Sequence, residues 1–240
     1  MHAVCISQDV LDRIAARRGR IHPFDRIDGP KTALVVIDLQ NAFLLPGMPA
    51  AVKNARDIIP NVNRLAKAVR NASGRVIWVK MTLDRERDTW SVFFDHFGSP
   101  AHSAAELKSL SRGDFGHELH ADLDAMPADL VMEKTRFSAF IQGSSDLDAV
   151  LRRLGIDTVV IVGTVTNTCC ESSARDAMML NYKTIVVSDA NAAHSDEEHN
   201  ASLTNILRIF GDVLSTDETI AHLTRGGTEA APQKSAMSAV

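Results

Sequence analysis

The fold is decided by the stretch Thr158-Val-Val-Ile-Val-Gly-Thr-Val-Thr-Asn-Thr-Cys-Cys-Glu-Ser-Ser-Ala-Arg-Asp176. Its first five residues form a largely apolar run, which is typical of a buried parallel strand. A helical pattern follows over residues 174–180, and Cys169 and Cys170 lie where that helix should begin. Amide groups at a helix N-terminus favour a thiolate and can bind a developing oxyanion. The stretch therefore predicts a strand-turn-helix unit with a nucleophilic thiol at its turn.

Strand and helix patterns alternate on both sides of this unit. Strands are predicted at residues 33–37, 75–79, 130–132, 158–162, 184–187 and 213–214, and further helices at 55–69, 147–154 and 203–210. This order predicts an α/β fold: a three-layer, doubly wound, mostly parallel sheet with helices on both faces. Residues 84–123 lack a clean period, which favours a functional loop or lid, although a surface helical excursion is the simpler interpretation.

The length and the ends of the chain suggest its organisation. Its 240 residues suffice for one large domain with a substantial core. We expect an N-terminal arm at residues 1–30, a single α/β domain at 31–225, and a small, polar and poorly ordered tail at 226–240.

The composition narrows the class of protein. Hydrophobic residues make up 45% and charged residues 23%, as in an ordinary soluble protein, and the net charge of −4 gives no footprint for nucleic acid or a membrane surface. No signal peptide and no apolar stretch of roughly 20 residues is visible. Three cysteines, two of them adjacent, make no disulfide framework. These features predict a cytoplasmic protein with reduced thiols.

Three chemically useful side chains follow predicted strands. Asp38 comes directly after residues 33–37, Lys134 lies two residues past 130–132, and Cys169 lies beyond 158–162. Because ligands bind at the carboxyl ends of parallel strands, a carboxylate, an ammonium and a thiol would gather at one edge. Each residue also has a common structural use, as an N-cap or turn residue, a solvated charge or a small core side chain.

At this point the chain resembles a known family, the isochorismatase-like cysteine hydrolases. Three separated segments carry the resemblance, which covers about residues 30–220: Ala33-Leu-Val-Val-Ile-Asp-Leu-Gln-Asn-Ala-Phe43, Glu133-Lys-Thr-Arg-Phe-Ser-Ala-Phe140 and Gly163-Thr-Val-Thr-Asn-Thr-Cys-Cys-Glu-Ser-Ser-Ala-Arg-Asp-Ala177. Their order and spacing also fit the family. The variant around the cysteines leans toward the ureidoacrylate amidohydrolase branch.

The resemblance implies a catalytic triad of Asp38, Lys134 and Cys169. It also implies a cis peptide before Val165, with the backbone N–H groups of Val165 and Cys169 forming an oxyanion hole. The expected activity is thioester-mediated hydrolysis of a C–N bond in a small amide, ureido or N-carbamoyl substrate, without cofactor or metal. The family alignment favours Cys169 over Cys170, which is expected to pack behind it. A homo-oligomer is expected as well.

Departures from the family pattern narrow the activity. The Asp-x-His-x-x-His metal motif of nicotinamidases is missing after the second predicted strand, where Lys80-Met-Thr-Leu-Asp-Arg-Glu-Arg-Asp88 stands instead. True isochorismatases lack the nucleophilic cysteine, so its presence favours C–N hydrolysis. His194 and His199 stand five residues apart, a poor spacing for one helical face, and are predicted to be surface residues rather than ligands.

The substrate pocket is predicted from the neighbours of these segments. Gln40, Asn41 and Phe43 follow Asp38 and are expected to line the site, with Phe137 and Trp90 as walls that could equally be core. Lys80, Arg85 and Arg87 are candidates to hold a substrate carboxylate. For the two arginines, a solvated charge on a loop is the simpler interpretation.

Two other classes of function compete with the hydrolase hypothesis. A non-catalytic binding or scaffold protein could retain the fold, although the complete set of triad residues argues against it. A redox protein could use Cys169 and Cys170, but adjacent cysteines close only a strained ring and lack the spacing of a redox motif.

Overall fold

The structure is a computed structural model that describes residues 1–84 and 88–226. Its strands are β1 (Thr32–Ile37), β2 (Arg75–Met81), β3 (Leu130–Lys134), β4 (Thr158–Thr164), β5 (Lys183–Ala192) and β6 (Asp212–Leu214). Its α-helices are α1 (Gln8–Arg18), α2 (Asn41–Leu44), α3 (Ile59–Asn71), α4 (Ser91–His96), α5 (Pro100–Ser109), α6 (Leu147–Arg153), α7 (Glu171–Met179), α8 (Asp196–Asn205) and α9 (Thr216–Gly226).

The six strands form one parallel sheet in the order β3-β2-β1-β4-β5-β6. Every residue of β1 and β4 is buried, because these central strands carry β-branched and small apolar side chains on both faces. The chain runs outward from β1 to β3 and then returns to β4 on the other side. With right-handed crossovers this reversal puts the connecting helices on opposite faces. The predicted doubly wound α/β fold is confirmed.

The reversal between β1 and β4 positions the site. Asp38 follows β1, and the turn with Cys169 follows β4, so both begin at neighbouring strand ends. Gly163 allows this close approach, since a Cβ on it would lie 2.0 Å from the carbonyl oxygen of Ile37. The two segments therefore meet at the switch point of the sheet, where open α/β sheets bind their ligands.

Some predicted boundaries differ from the structure. The helix predicted at 203–210 begins at Asp196, because Ser195 caps its N-terminus. Its last part, at 206–210, is a π-helical turn. Strand β5 extends to Ala192, well past the predicted residue 187. The aperiodic segment contains the two helices α4 and α5, with Ser99 capping α5. The predicted arm contains α1, whose Val10 and Ile14 are buried, while the predicted tail lies outside the described residues from 227 onward.

Candidate active site

Asp38, Lys134 and Cys169 meet at the carboxyl edge of the sheet. The Lys134 Nζ lies 2.9 Å from Oδ2 of Asp38 and 3.5 Å from Sγ of Cys169. All three side chains are buried. The sequence interpretation that placed them at one edge therefore agrees with their positions in space.

The ammonium of Lys134 is held in place by further contacts. Nζ donates to the carbonyl oxygen of Arg136 at 3.1 Å and lies 3.6 Å from the sulfur of Met81. Because β3 stands two strands away from β1, the long lysine side chain spans β2 to reach Asp38. A shorter cation at this strand end would not bridge that gap.

Asp38 has an unusual backbone and an uncommitted carboxylate. Its φ is +56°, in the left-handed region that non-glycine residues rarely adopt and that costs about 1–3 kcal/mol. Its N–H donates to the carbonyl of Val79 at 2.9 Å. Within the described parts of the chain neither carboxylate oxygen makes an aligned hydrogen bond, so the contact with Lys134 is an ion pair by distance. A buried carboxylate with free lone pairs can accept a proton.

Burial dominates the electrostatics of the cluster. It raises the pKa of the Cys169 thiol far above its ordinary value; Lys134 lowers that pKa in part, and the charge of Asp38 raises it. Burial also raises the pKa of Asp38, against the lowering effect of Lys134. For Lys134, burial lowers the pKa, but the charges of Asp38 and Cys169 outweigh it and the pKa is raised. Lys134 thus favours the ionised forms of Asp38 and Cys169, while burial disfavours them.

The turn that carries Cys169 has a fixed shape. The peptide bond between Thr164 and Val165 is cis, and one π-helical turn over Thr166–Cys170 leads into α7. Two contacts from α8 hold Thr166: its Oγ1 pairs with Nδ1 of His199 at 2.9 Å, and its carbonyl accepts from Ser202 at 3.2 Å. The backbone between Val165 and Cys169 is therefore anchored from behind.

Cys170 lies on the other side of this turn. It has no exposed surface and packs into the core, where burial raises its pKa well above the ordinary value. It does not line the cavity described next.

A cavity of about 300 Å³ opens onto Cys169. Its lining consists of Phe43, Pro49, Ala50, Ala51, Met81, His102, Glu106, Phe137, Val165, Thr168, Cys169 and His194. Two predicted pocket residues, Phe43 and Phe137, are among them. His102 and Glu106 come from α5, within the segment whose sequence has no clean period, so their approach to Cys169 had no local signal.

The sequence of this chain matches known proteins. A family model for the isochorismatase domain matches residues 32–218. The chain belongs to the isochorismatase family. It is 33% identical over 211 residues to the ureidoacrylate amidohydrolase RutB of Caulobacter vibrioides, covering 79% of this chain and 90% of that protein. These matches confirm the family resemblance and make the chain an isochorismatase-family hydrolase with amidohydrolase relatives.

Solved structures agree with this assignment. A cysteine hydrolase from Pseudomonas syringae pv. phaseolicola superposes with a TM-score of 0.75 at 32% identity, over 83% of this chain and 95% of that one. The N-carbamoylsarcosine amidase of Thermoplasma acidophilum superposes with a TM-score of 0.61 at 29% identity, over 78% and 97% of the two chains.

In this isochorismatase-family chain, Gln40 and Asn41 do not lie among the residues that line the cavity. The amide of Gln40 donates to the carbonyls of Met81 and His117 and accepts from the N–H of Met81 at 2.7 Å. The amide of Asn41 donates to the carbonyl of Phe115 at 2.9 Å. Both side chains hold the loop after β1 against neighbouring segments.

Lys80 and Trp90 are not among the described residues that line the cavity. Lys80 is half-buried beside Met81 in β2, and it is not part of the lining. Trp90 packs edge-on against Phe137, with ring centroids 4.8 Å apart, and so supports the wall from behind. Arg85 and Arg87 lie outside the described residues.

The prediction for His199 was wrong, since this side chain is completely buried. Its ring stacks on His2 of the N-terminal arm, with centroids 4.5 Å apart. The arm reaches α8 from a distant part of the sequence, so residue spacing could not reveal the contact. His194 is exposed but borders the cavity.

Within residues 1–84 and 88–226, no group of His, Cys, Asp and Glu side chains is placed to hold a metal ion. Over the same ranges no helix is both long and apolar enough to cross a membrane.

Proposed function

We propose that this isochorismatase-family hydrolase cleaves a C–N bond in a small amide, ureido or N-carbamoyl compound, with Cys169 as its nucleophile. The observation that carries the proposal is the position of the Lys134 Nζ, within reach of both Asp38 and Cys169, where Cys169 lines a cavity. The amidohydrolase among the relatives supports the choice of bond.

The first half of the reaction transfers an acyl group to sulfur. Because the pKa of Cys169 is raised, its proton has to leave as the sulfur attacks, and Asp38 accepts it. The new C–S bond leaves a negative oxygen, which the N–H groups of Val165 and Cys169 would stabilise. Collapse breaks the C–N bond, the proton on Asp38 passes to the leaving nitrogen, and ammonia or an amine departs.

The second half hydrolyses the thioester. Asp38 removes a proton from water as the oxygen attacks the thioester carbon. Collapse then breaks the C–S bond, and the proton returns to sulfur. Lys134 stays protonated throughout and stabilises the negative charge that moves between Asp38 and Cys169.

Ammonia release from a panel of ureido acids, N-carbamoyl amino acids and simple amides tests this function. We expect Cys169→Ala to lose activity by about 10³-fold or more, because it removes the attacking atom. Cys170→Ala is the matched control and should retain most of the activity, since that thiol faces the core. Mass spectrometry of the wild type should show a transient acyl adduct on Cys169.

Two outcomes would contradict the proposal. Undiminished ammonia release by Cys169→Ala would exclude this nucleophile. A wild-type protein that hydrolyses nothing in the panel, while still binding some of its members, would favour a non-catalytic binding protein.

A further inference from the structure

The cavity over Cys169 has one acidic side chain in its described lining, Glu106 of α5. His102 lies one turn earlier on the same helix and also lines the cavity, as residues four apart share a helix face. Much of the surrounding wall is carbon, contributed by Phe43, Met81 and Phe137 together with a proline and two alanines. A carboxylate in such an apolar wall is unusual, so it needs either a structural or a functional explanation.

No folding role accounts for Glu106 within the described parts of the chain. Its side chain is only 17% exposed, and no hydrogen-bond donor of the described residues reaches its carboxylate. The Nε2 of His102 stands 4.0 Å from Oε2, beyond hydrogen-bond distance. Burial raises the pKa of Glu106, and His102 lowers it in part. Keeping this group half-buried costs free energy that a ligand N–H would recover.

The chemistry of the lining then limits what can complement it. An ionised carboxylate oxygen only accepts hydrogen bonds, as it would from N–H donors, and a second carboxylate placed against it would be repelled. The apolar wall offers room for a short carbon or planar amide body, and 300 Å³ suits a small molecule.

We propose that Glu106 is a specificity-determining residue that accepts hydrogen bonds from N–H groups at the end of the substrate opposite the cleaved bond. This inference rests on the proposed amide hydrolysis and narrows its substrate class to small compounds whose distal group bears N–H donors and no negative charge. Amides whose distal group is a carboxylate, or only a hydrogen-bond acceptor, fit the wall less well.

Three probes of similar size separate these classes: malonamide has a distal amide, acetoacetamide a distal ketone and malonamate a distal carboxylate. We expect the wild type to hydrolyse malonamide with a kcat/KM at least about tenfold above that of the other two. Glu106→Gln should lower the kcat/KM for malonamide about tenfold, mainly through KM, and should raise that for malonamate.

Lys108→Gln is the matched control, because it removes a charge from the same helix at an exposed position outside the lining. It should leave the order of the three probes unchanged, and neither variant should lower the melting temperature. A wild type that favours malonamate, or that hydrolyses other amides but not malonamide, overturns the assignment. So does a Glu106→Gln variant with an unchanged order of probes.

Failure of the underlying function looks different. In that case the wild type and both variants release no ammonia from the three probes or from the wider panel. If the wild type is active and Glu106→Gln does not change the order of the probes, this inference alone is contradicted.

Discussion

Lys134 is a fully buried cation, and its charge is balanced by Asp38 at 2.9 Å. Pairs of this kind gain little over an apolar replacement of both partners, but removing one partner leaves an uncompensated buried charge. The lysine is therefore a residue whose loss should affect stability as well as chemistry.

Lys134→Met should lower the free energy of unfolding by about 3–5 kcal/mol, because the Asp38 carboxylate is left buried without its counter-charge. The double variant Asp38→Asn with Lys134→Met should recover part of that loss. Urea denaturation at neutral pH measures all three proteins.

Lys183→Met provides the control for this prediction. Lys183 pairs with Asp157 at 3.4 Å on the surface, so its loss should cost no more than about 1 kcal/mol. If the two lysine variants lost equal free energy of unfolding, the buried pair would matter no more for stability than the surface pair.

The sequence predicted Asp38, Lys134 and Cys169 because each follows a recognisable strand. It could not predict Glu106 or His102, because their helix lies in a segment without a regular pattern, and only tertiary packing brings it to the cavity beside Cys169. Gln40 and Asn41 were expected to line the site but do not line the cavity, because their amides bind backbone groups of neighbouring segments, which the sequence does not reveal.

At the scale of elements, β1 and β4 approach each other closely at their carboxyl ends. Gly163 has a φ of +124° and no room for a Cβ against Ile37. The same glycine begins the turn that leads to Val165 and Cys169, so a displacement there would move the proposed nucleophile.

Gly163→Ala should destabilise the protein by about 3 kcal/mol or more, since it adds a backbone clash to an unfavourable φ. Gly155→Ala is a matched control: its φ is +70°, but no atom lies within 4 Å of the added Cβ. That control should cost only about 1–2 kcal/mol, the penalty of a left-handed residue.

Thermal unfolding of the two alanine variants, with ammonia release as a second measurement, checks this difference. If Gly163→Ala were no less stable than Gly155→Ala, the close contact between β1 and β4 would not constrain the junction.

At the scale of the whole molecule, the N-terminal arm closes over the elements behind the site. His2 accepts from the N–H of Ala193 at 2.9 Å, pairs with Asp196 at 2.7 Å and stacks on His199. His199 in turn contacts Thr166. The arm and α8 therefore form a continuous set of contacts that ends at the turn of Cys169.

The stability of the whole molecule should depend on pH through His199. Burial, followed by the charge of His2, lowers its pKa from 6.5 to about 4. Between pH 6.5 and pH 4, His199 is protonated in the unfolded chain but remains neutral in the folded protein. The free energy of unfolding therefore falls as the pH drops from 6.5 toward 4. At pH 5 this one group should cost about 2 kcal/mol.

Urea denaturation at pH 7 and pH 5 measures the effect. In His199→Gln the loss of stability between these two values should be about 2 kcal/mol smaller than in the wild type. His194→Gln, at an exposed position, should lose as much as the wild type does. An identical pH dependence in all three proteins would contradict the role of the buried ring.

By itself, the sequence determined the alternating architecture, the family and the three strand ends that carry Asp38, Lys134 and Cys169, because hydrophobic periodicity and short motifs are local properties. Only the tertiary structure decided that α5 brings Glu106 to the cavity, that Gln40 and Asn41 bind backbone, and that His199 is buried under the arm. These outcomes depend on contacts between segments far apart in the chain. Such contacts are set by how the elements pack, which no local pattern contains.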